Sequence, residues 1–94
     1  MKSAVPIGSL FDKILRDLHI EKKVYQSRAI VVWPKAVGPK ISAVTEPERV
    51  EDGKLFVRVE SPTWRMELIL IKRQIIDRVN REIGSQVISD IIFK

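Results

Sequence analysis

The chain has no cysteine in its 94 residues. That excludes disulfides, thiolate catalysis and cysteine-ligated zinc together, and it fits a reducing cytoplasm. There is one histidine, His19. It has no ligand-spaced partner, and a metal site needs three or four convergent ligands, so it reads as a surface or capping residue. No metal or other cofactor is expected. Glycine is scarce, with Gly8, Gly38, Gly53 and Gly84 widely spaced. No Walker loop, nucleophile elbow or histidine–carboxylate pair at useful spacing can be read from the sequence. The acidic residues sit among basic neighbours and in no catalytic motif, so neither an enzyme nor a small-molecule substrate is expected. Long apolar runs are missing too. The longest, Ala29 to Trp33, is far short of the roughly 20 residues of a membrane-spanning helix. The N-terminus lacks the apolar core of a secretory signal.

What is present suits one small soluble domain. Apolar residues make up 45% and charged residues 31%, enough for a core and a solvated surface. The net charge is +5, spread along the chain rather than gathered in a tail. Such a field favours polyanions or acidic protein surfaces. Residues 1–8 read as a flexible arm and 9–94 as the domain.

The central stretch runs from Asp52 to Gly84. Asp52-Gly53 is a hairpin turn signal. After it, Leu55, Val57 and Val59 alternate with Lys54, Phe56, Arg58 and Glu60, the period of a half-buried strand. Ser61-Pro62 then switches the period. Serine is a good N-cap, and proline at the first helical position gives up an N–H that had no partner. Trp64, Leu68, Ile71, Ile75 and Val79 follow at helical spacing, and Gly84 supplies the stop.

Upstream, Ser9 opens a helix with Leu10, Phe11, Ile14, Leu15 and Leu18 on its apolar side, ending at His19-Ile20. A second helix is expected from Glu21 to Val37. Pro34 predicts a kink or a new turn, since it removes a hydrogen bond and crowds the preceding turn. Val37-Gly38-Pro39 is the stop, and Lys40 to Ala43 suits one more turn. Val44 to Val50 reads as a strand that Pro47 confines to an edge or a bulge, and Val87 to Phe93 as the last strand. The order is helix, helix, strand, strand, helix, strand: an α+β fold whose three-stranded sheet packs on helices.

The third helix carries a second apolar strip. Met66, Ile69, Leu70 and Ile76 fall outside the core-facing stripe of a straight helix over 62–83. Three readings account for it. The helix breaks near Ile71-Lys72-Arg73-Gln74, the first two helices cover the strip, or the strip binds a partner.

An ordered set of positions resembles the bacterial DciA-like family. It comprises Trp33, Val37-Gly38, Thr45, Pro47, Gly53, Leu55, Val57, Val59, Ser61, Trp64, Glu67-Leu68, Val79-Asn80, Ile83-Gly84, Ile91 and Phe93. The match spans about residues 7–94. The resemblance implies a fold similar to a type II KH domain, contact with the DnaB-type replicative helicase, and affinity for single-stranded DNA. Two departures weigh on the last of these. A nucleic-acid-binding KH domain carries Gly-x-x-Gly between two helices, and this chain has none. Many family members also carry a basic extension, whereas this sequence ends directly after the last strand.

The candidate residues follow. For nucleic acid they are Phe56 between Lys54 and Arg58, where an aromatic among cations suits base stacking and cover by a neighbouring element is the plain alternative; an edge of Arg65, Lys72 and Arg73; and a second edge of Lys22-Lys23, Arg28, Lys35 and Lys40. A solvated helix face is the plain alternative for both edges. Trp33 and Trp64 lie on apolar helical faces and read as packing residues. For a protein partner they are Met66, Ile69 and Leu70. The expected function is a non-enzymatic adaptor that binds the replicative helicase and assists it on single-stranded DNA. The alternative is a KH-like module binding RNA or another single strand with no helicase link.

Overall fold

Asp52 and Gly53 both take positive φ, 52° and 80°, as a two-residue type I′ hairpin turn requires. This turn sets the register of the sheet. The structure, a computed structural model, describes the backbone of residues 20–94 and the side chains of residues 27–94. The expected arm over 1–8, the expected helix from Ser9 and His19 lie outside the described residues.

The elements are α1 (Ile20–Val37), α2 (Pro39–Ser42), β1 (Thr45–Glu51), β2 (Lys54–Val59), α3 (Pro62–Leu70), α4 (Lys72–Ile83) and β3 (Asp90–Phe93). The sheet order is β1-β2-β3, with β1 and β2 antiparallel and β2 and β3 parallel. Pro47 meets both expectations placed on it. Its strand is an edge, and the register shifts between Pro47 and Arg49. The missing N–H costs nothing on an edge.

Helix α1 already includes Ile20 and runs through Pro34 to Val37, so no new turn begins at the proline. Pro34 lies in the last turn, where it removes a single intrahelical bond. Its own carbonyl still accepts from Gly38 N–H at 2.9 Å. Gly38, at φ 87°, then ends α1 and precedes the short α2. Ala29, Trp33, Ala36 and Val37 of α1 are buried against the sheet and α4. Trp33 is wholly buried. Its Nε1–H donates to Thr45 Oγ1 at 2.8 Å, and that hydroxyl donates to the Ile41 carbonyl at 2.8 Å. The indole thus satisfies its one polar atom while filling the core.

Ser61 caps α3 as expected, its Oγ accepting from Trp64 N–H at 3.2 Å. The long helix does break, at Ile71 (φ −109°, ψ 17°). There the Ile71 N–H turns to the Leu68 carbonyl, a tighter bond three residues back. The break divides the second apolar strip. Ile76 joins Ile75, Val79 and Ile83 in the core, whereas Met66, Ile69 and Leu70 stay exposed. Gly84, at φ 88°, closes α4 with its N–H on the Asn80 carbonyl at 2.8 Å.

The last strand is shorter than expected and begins at Asp90 rather than Val87. Asn80 is the reason. It is the buried polar side chain among the described residues. Its Oδ1 accepts from the N–H groups of Val87 (3.2 Å) and Ile88 (2.9 Å), and its Nδ2 donates to the Ile88 carbonyl (2.9 Å). Those backbone groups are therefore spent on α4 instead of a ladder. Ile88 is buried there as part of a loop.

Candidate functional site

The outer face of the sheet follows from alternation. Leu55, Val57 and Val59 go inward, so Lys54, Phe56 and Arg58 stand on the opposite side of β2. Counting back from the turn pairs Glu51 with Lys54 and Arg49 with Phe56, and β3 adds Asp90 beside Lys54 and Ile92 beside Phe56. The face is filled with opposite charges in contact. Arg58 pairs with Glu46 and lies 4.0 Å from Glu48, which also holds Lys94 at 2.7 Å. Lys72 reaches Asp90 at 3.2 Å. Lys54 has no carboxylate in salt-bridge contact among the described residues.

Phe56 does not present a bare ring. The Arg49 guanidinium lies 4.1 Å from its centroid, and Arg49 Nε donates to Glu51. Arg49 was not among the residues expected at the site. The signal was available, because a two-residue turn at Asp52-Gly53 puts Arg49 opposite Phe56.

Asp90 is the titratable group whose proton affinity the surroundings visibly move. Burial works to raise its pKa. The Ile91 N–H, 2.8 Å from Oδ1, together with Lys72 and Lys54 outweighs that and holds the carboxyl below its ordinary range.

The expected basic edge of Arg65, Lys72 and Arg73 is divided by the helix break. Arg65 is on α3, half-buried, with a Nε that is shielded and without a hydrogen-bond partner. Lys72 turns to β3, and Arg73 stands in solvent 3.9 Å from Asp77. Of the second edge, the side chains of Lys22 and Lys23 lie outside the described residues. Arg28 is exposed, Lys35 is tied to Glu82 of α4 at 3.4 Å, and Lys40 is exposed on α2. Arg78 and Arg81 on the outer side of α4, also not anticipated, have no acidic partner among the described residues.

The apolar candidates come together. Met66, Ile69 and Leu70 are 69%, 49% and 84% exposed on one side of α3, while Leu68 between them is fully buried. This i, i+3, i+4 cluster forms an exposed apolar patch on the helix. Among the described residues no three His, Asp or Glu converge as a metal site, and no helix is long and apolar enough to cross a membrane.

Comparison with known proteins adds the lineage. A UPF0232 protein of Corynebacterium glutamicum (strain R) is 26% identical over 91 residues, covering 97% of this chain and 51% of the relative. One from Rhodococcus jostii (strain RHA1) is 29% identical over 86 residues, covering 92% and 46%. One from Mycobacterium tuberculosis (strain H37Rv) is 23% identical over 83 residues, covering 88% and 44%. The chain thus spans about half the length of these relatives. The profile of the family described as "Dna[CI] antecedent, DciA" matches residues 6–93, nearly the whole sequence, and the chain belongs to that family.

Proposed function

We propose that this chain is a non-enzymatic adaptor of DNA replication. It binds the DnaB-type replicative helicase and assists its loading or operation on single-stranded DNA. The observation that carries this reading is the family match over residues 6–93. The exposed cluster of Met66, Ile69 and Leu70 supports it by offering an apolar surface to a protein partner. Without nucleotide-handling residues, the adaptor acts by holding or remodelling the helicase. Nucleic-acid contact is secondary and electrostatic, through cations such as Lys40, Lys54, Arg73, Arg78 and Arg81.

The alternative, a KH-like RNA-binding module with no helicase link, draws support from the order of elements, with two helices between parallel β2 and β3. The junction between those helices speaks against it. It is Leu70-Ile71-Lys72-Arg73, with no glycine for close backbone approach.

Calorimetric titration against the replicative helicase of the same organism tests the reading. Saturable binding is expected, weakened at least tenfold by Met66→Asp or Leu70→Asp with the fold intact by circular dichroism. Absence of binding by the wild-type chain overturns the adaptor reading.

A further inference from the structure

We infer that Phe56 is a base-stacking position for a single-stranded nucleic acid and that Arg49 is the latch that closes it. The inference rests on the nucleic-acid part of the function proposed above. The ring stands on the outer face of the central strand between Lys54 and Arg58, the arrangement of an aromatic among cations that suits a stacked base beside its phosphates. Its outward side is taken by the Arg49 guanidinium at 4.1 Å from the centroid. Arg49 is held there by Glu51, two residues along the same strand. The Arg49 side chain is itself 48% exposed, so beyond it lies solvent and not protein. The cover over the ring is thus one side chain thick. It is an exposed cation–π contact, worth only about two- to fivefold in an equilibrium. A stacked base is worth about five- to 150-fold in affinity. A base can therefore displace the arginine, and the latch lowers affinity without abolishing it.

The sign of one substitution tests this. Arg49→Ala and Arg58→Ala each remove one cation paired to glutamate on the same face, but only the first uncovers the ring. Fluorescence anisotropy with labelled oligothymidylate and, in a parallel arm, oligouridylate reads the affinities. Arg49→Ala is expected to bind tighter than Arg58→Ala by roughly two- to fivefold, and Phe56→Leu in the Arg49→Ala background removes that gain. The two arms tell DNA from RNA. Equal affinities for the two arginine variants overturn the latch, as does a gain that survives Phe56→Leu, while wild-type binding leaves the nucleic-acid reading standing. If no variant binds either oligonucleotide, the latch and the nucleic-acid reading fall together. Circular dichroism confirms that each variant is folded.

Discussion

Asn80 does more for the fold than any other polar side chain described, because it bonds both the Val87 and Ile88 N–H groups and the Ile88 carbonyl. Asn80→Ala strands the Ile88 N–H and carbonyl in a buried site, while the Val87 N–H keeps the Ser85 carbonyl at 3.0 Å. A loss of about 2–4 kcal/mol is expected, read as a lowered urea midpoint. Gln86→Ala, which removes only a partly buried 3.3 Å contact to Asn80, is expected to cost under about 1 kcal/mol. Asp90 makes a smaller, pH-dependent contribution. Its carboxyl is held below the ordinary value in the folded chain. The stabilisation is therefore complete above the unfolded-state pKa and is lost as pH falls through the depressed folded one. The pair with Lys72 is 39% and 31% exposed, and solvent screening limits its worth to about 0.5 kcal/mol. Asp90→Asn keeps an oxygen for the Ile91 N–H but has no charge to lose. The wild-type advantage in urea midpoint is expected in full at pH 7 and to shrink progressively as the pH is lowered through the acid range. A constant difference across that range contradicts the assignment.

At the scale of elements, the break at Ile71 divides one apolar strip, sending Ile76 to the core and leaving Met66, Ile69 and Leu70 in solvent, while within α3 two neighbouring leucines part by helical rotation alone. Leu68 and Leu70 are two positions apart on one apolar run, yet one is fully buried and the other 84% exposed. Leu68→Ala is expected to cost about 2–5 kcal/mol and Leu70→Ala under about 0.5 kcal/mol, by chemical denaturation. Comparable losses at both positions would mean that Leu70 is buried like Leu68 and would contradict its place on the exposed side of α3. This is also where the sequence was least decisive. Ser61-Pro62, Asp52-Gly53 and Gly84 carry their conformations in their own covalent structure, so the cap, the turn and the stop were legible. Met66 through Gln74 are all acceptable helix formers, with no glycine or proline to mark a joint. Burial of Leu68 on one side and of Ile75 and Ile76 on the other determines the break, and burial is a tertiary quantity. The short β3 was hidden for the same reason, because nothing local to Val87 announces that Asn80 has claimed its N–H. At the candidate site, the second strip of Met66, Ile69, Leu70 and Ile76 was legible, but not that the first three are exposed and Ile76 is buried. The Arg49 cover on Phe56 needed the strand register as well.

For the whole molecule, net charge alone overstates the affinity for polyanions. The sequence carries +5. On the outer sheet face, however, Arg49, Arg58 and Lys94 meet glutamates, and Lys72 meets Asp90. On the helices, Lys35 and Arg73 meet Glu82 and Asp77. The cations without carboxylate partners among the described residues, such as Lys40, Lys54, Arg78 and Arg81, are divided among α2, β2 and α4, so one strand reaches few of them together. Each phosphate neutralised on a single strand contributes a slope of about −0.7 to log K against log salt. With three or four such contacts, a slope of about −2 to −3 is expected for oligothymidylate between 50 and 200 mM salt. Binding should fall roughly 15- to 65-fold over that range. A slope steeper than about −5 would require the paired cations to abandon their carboxylates for phosphate, and would make the chain a dedicated polyanion binder. A shallow slope beside salt-tolerant helicase binding is what an adaptor needs. In the proposed adaptor, the apolar face of α3 would hold the protein partner through conditions in which the nucleic acid is free to slide and exchange.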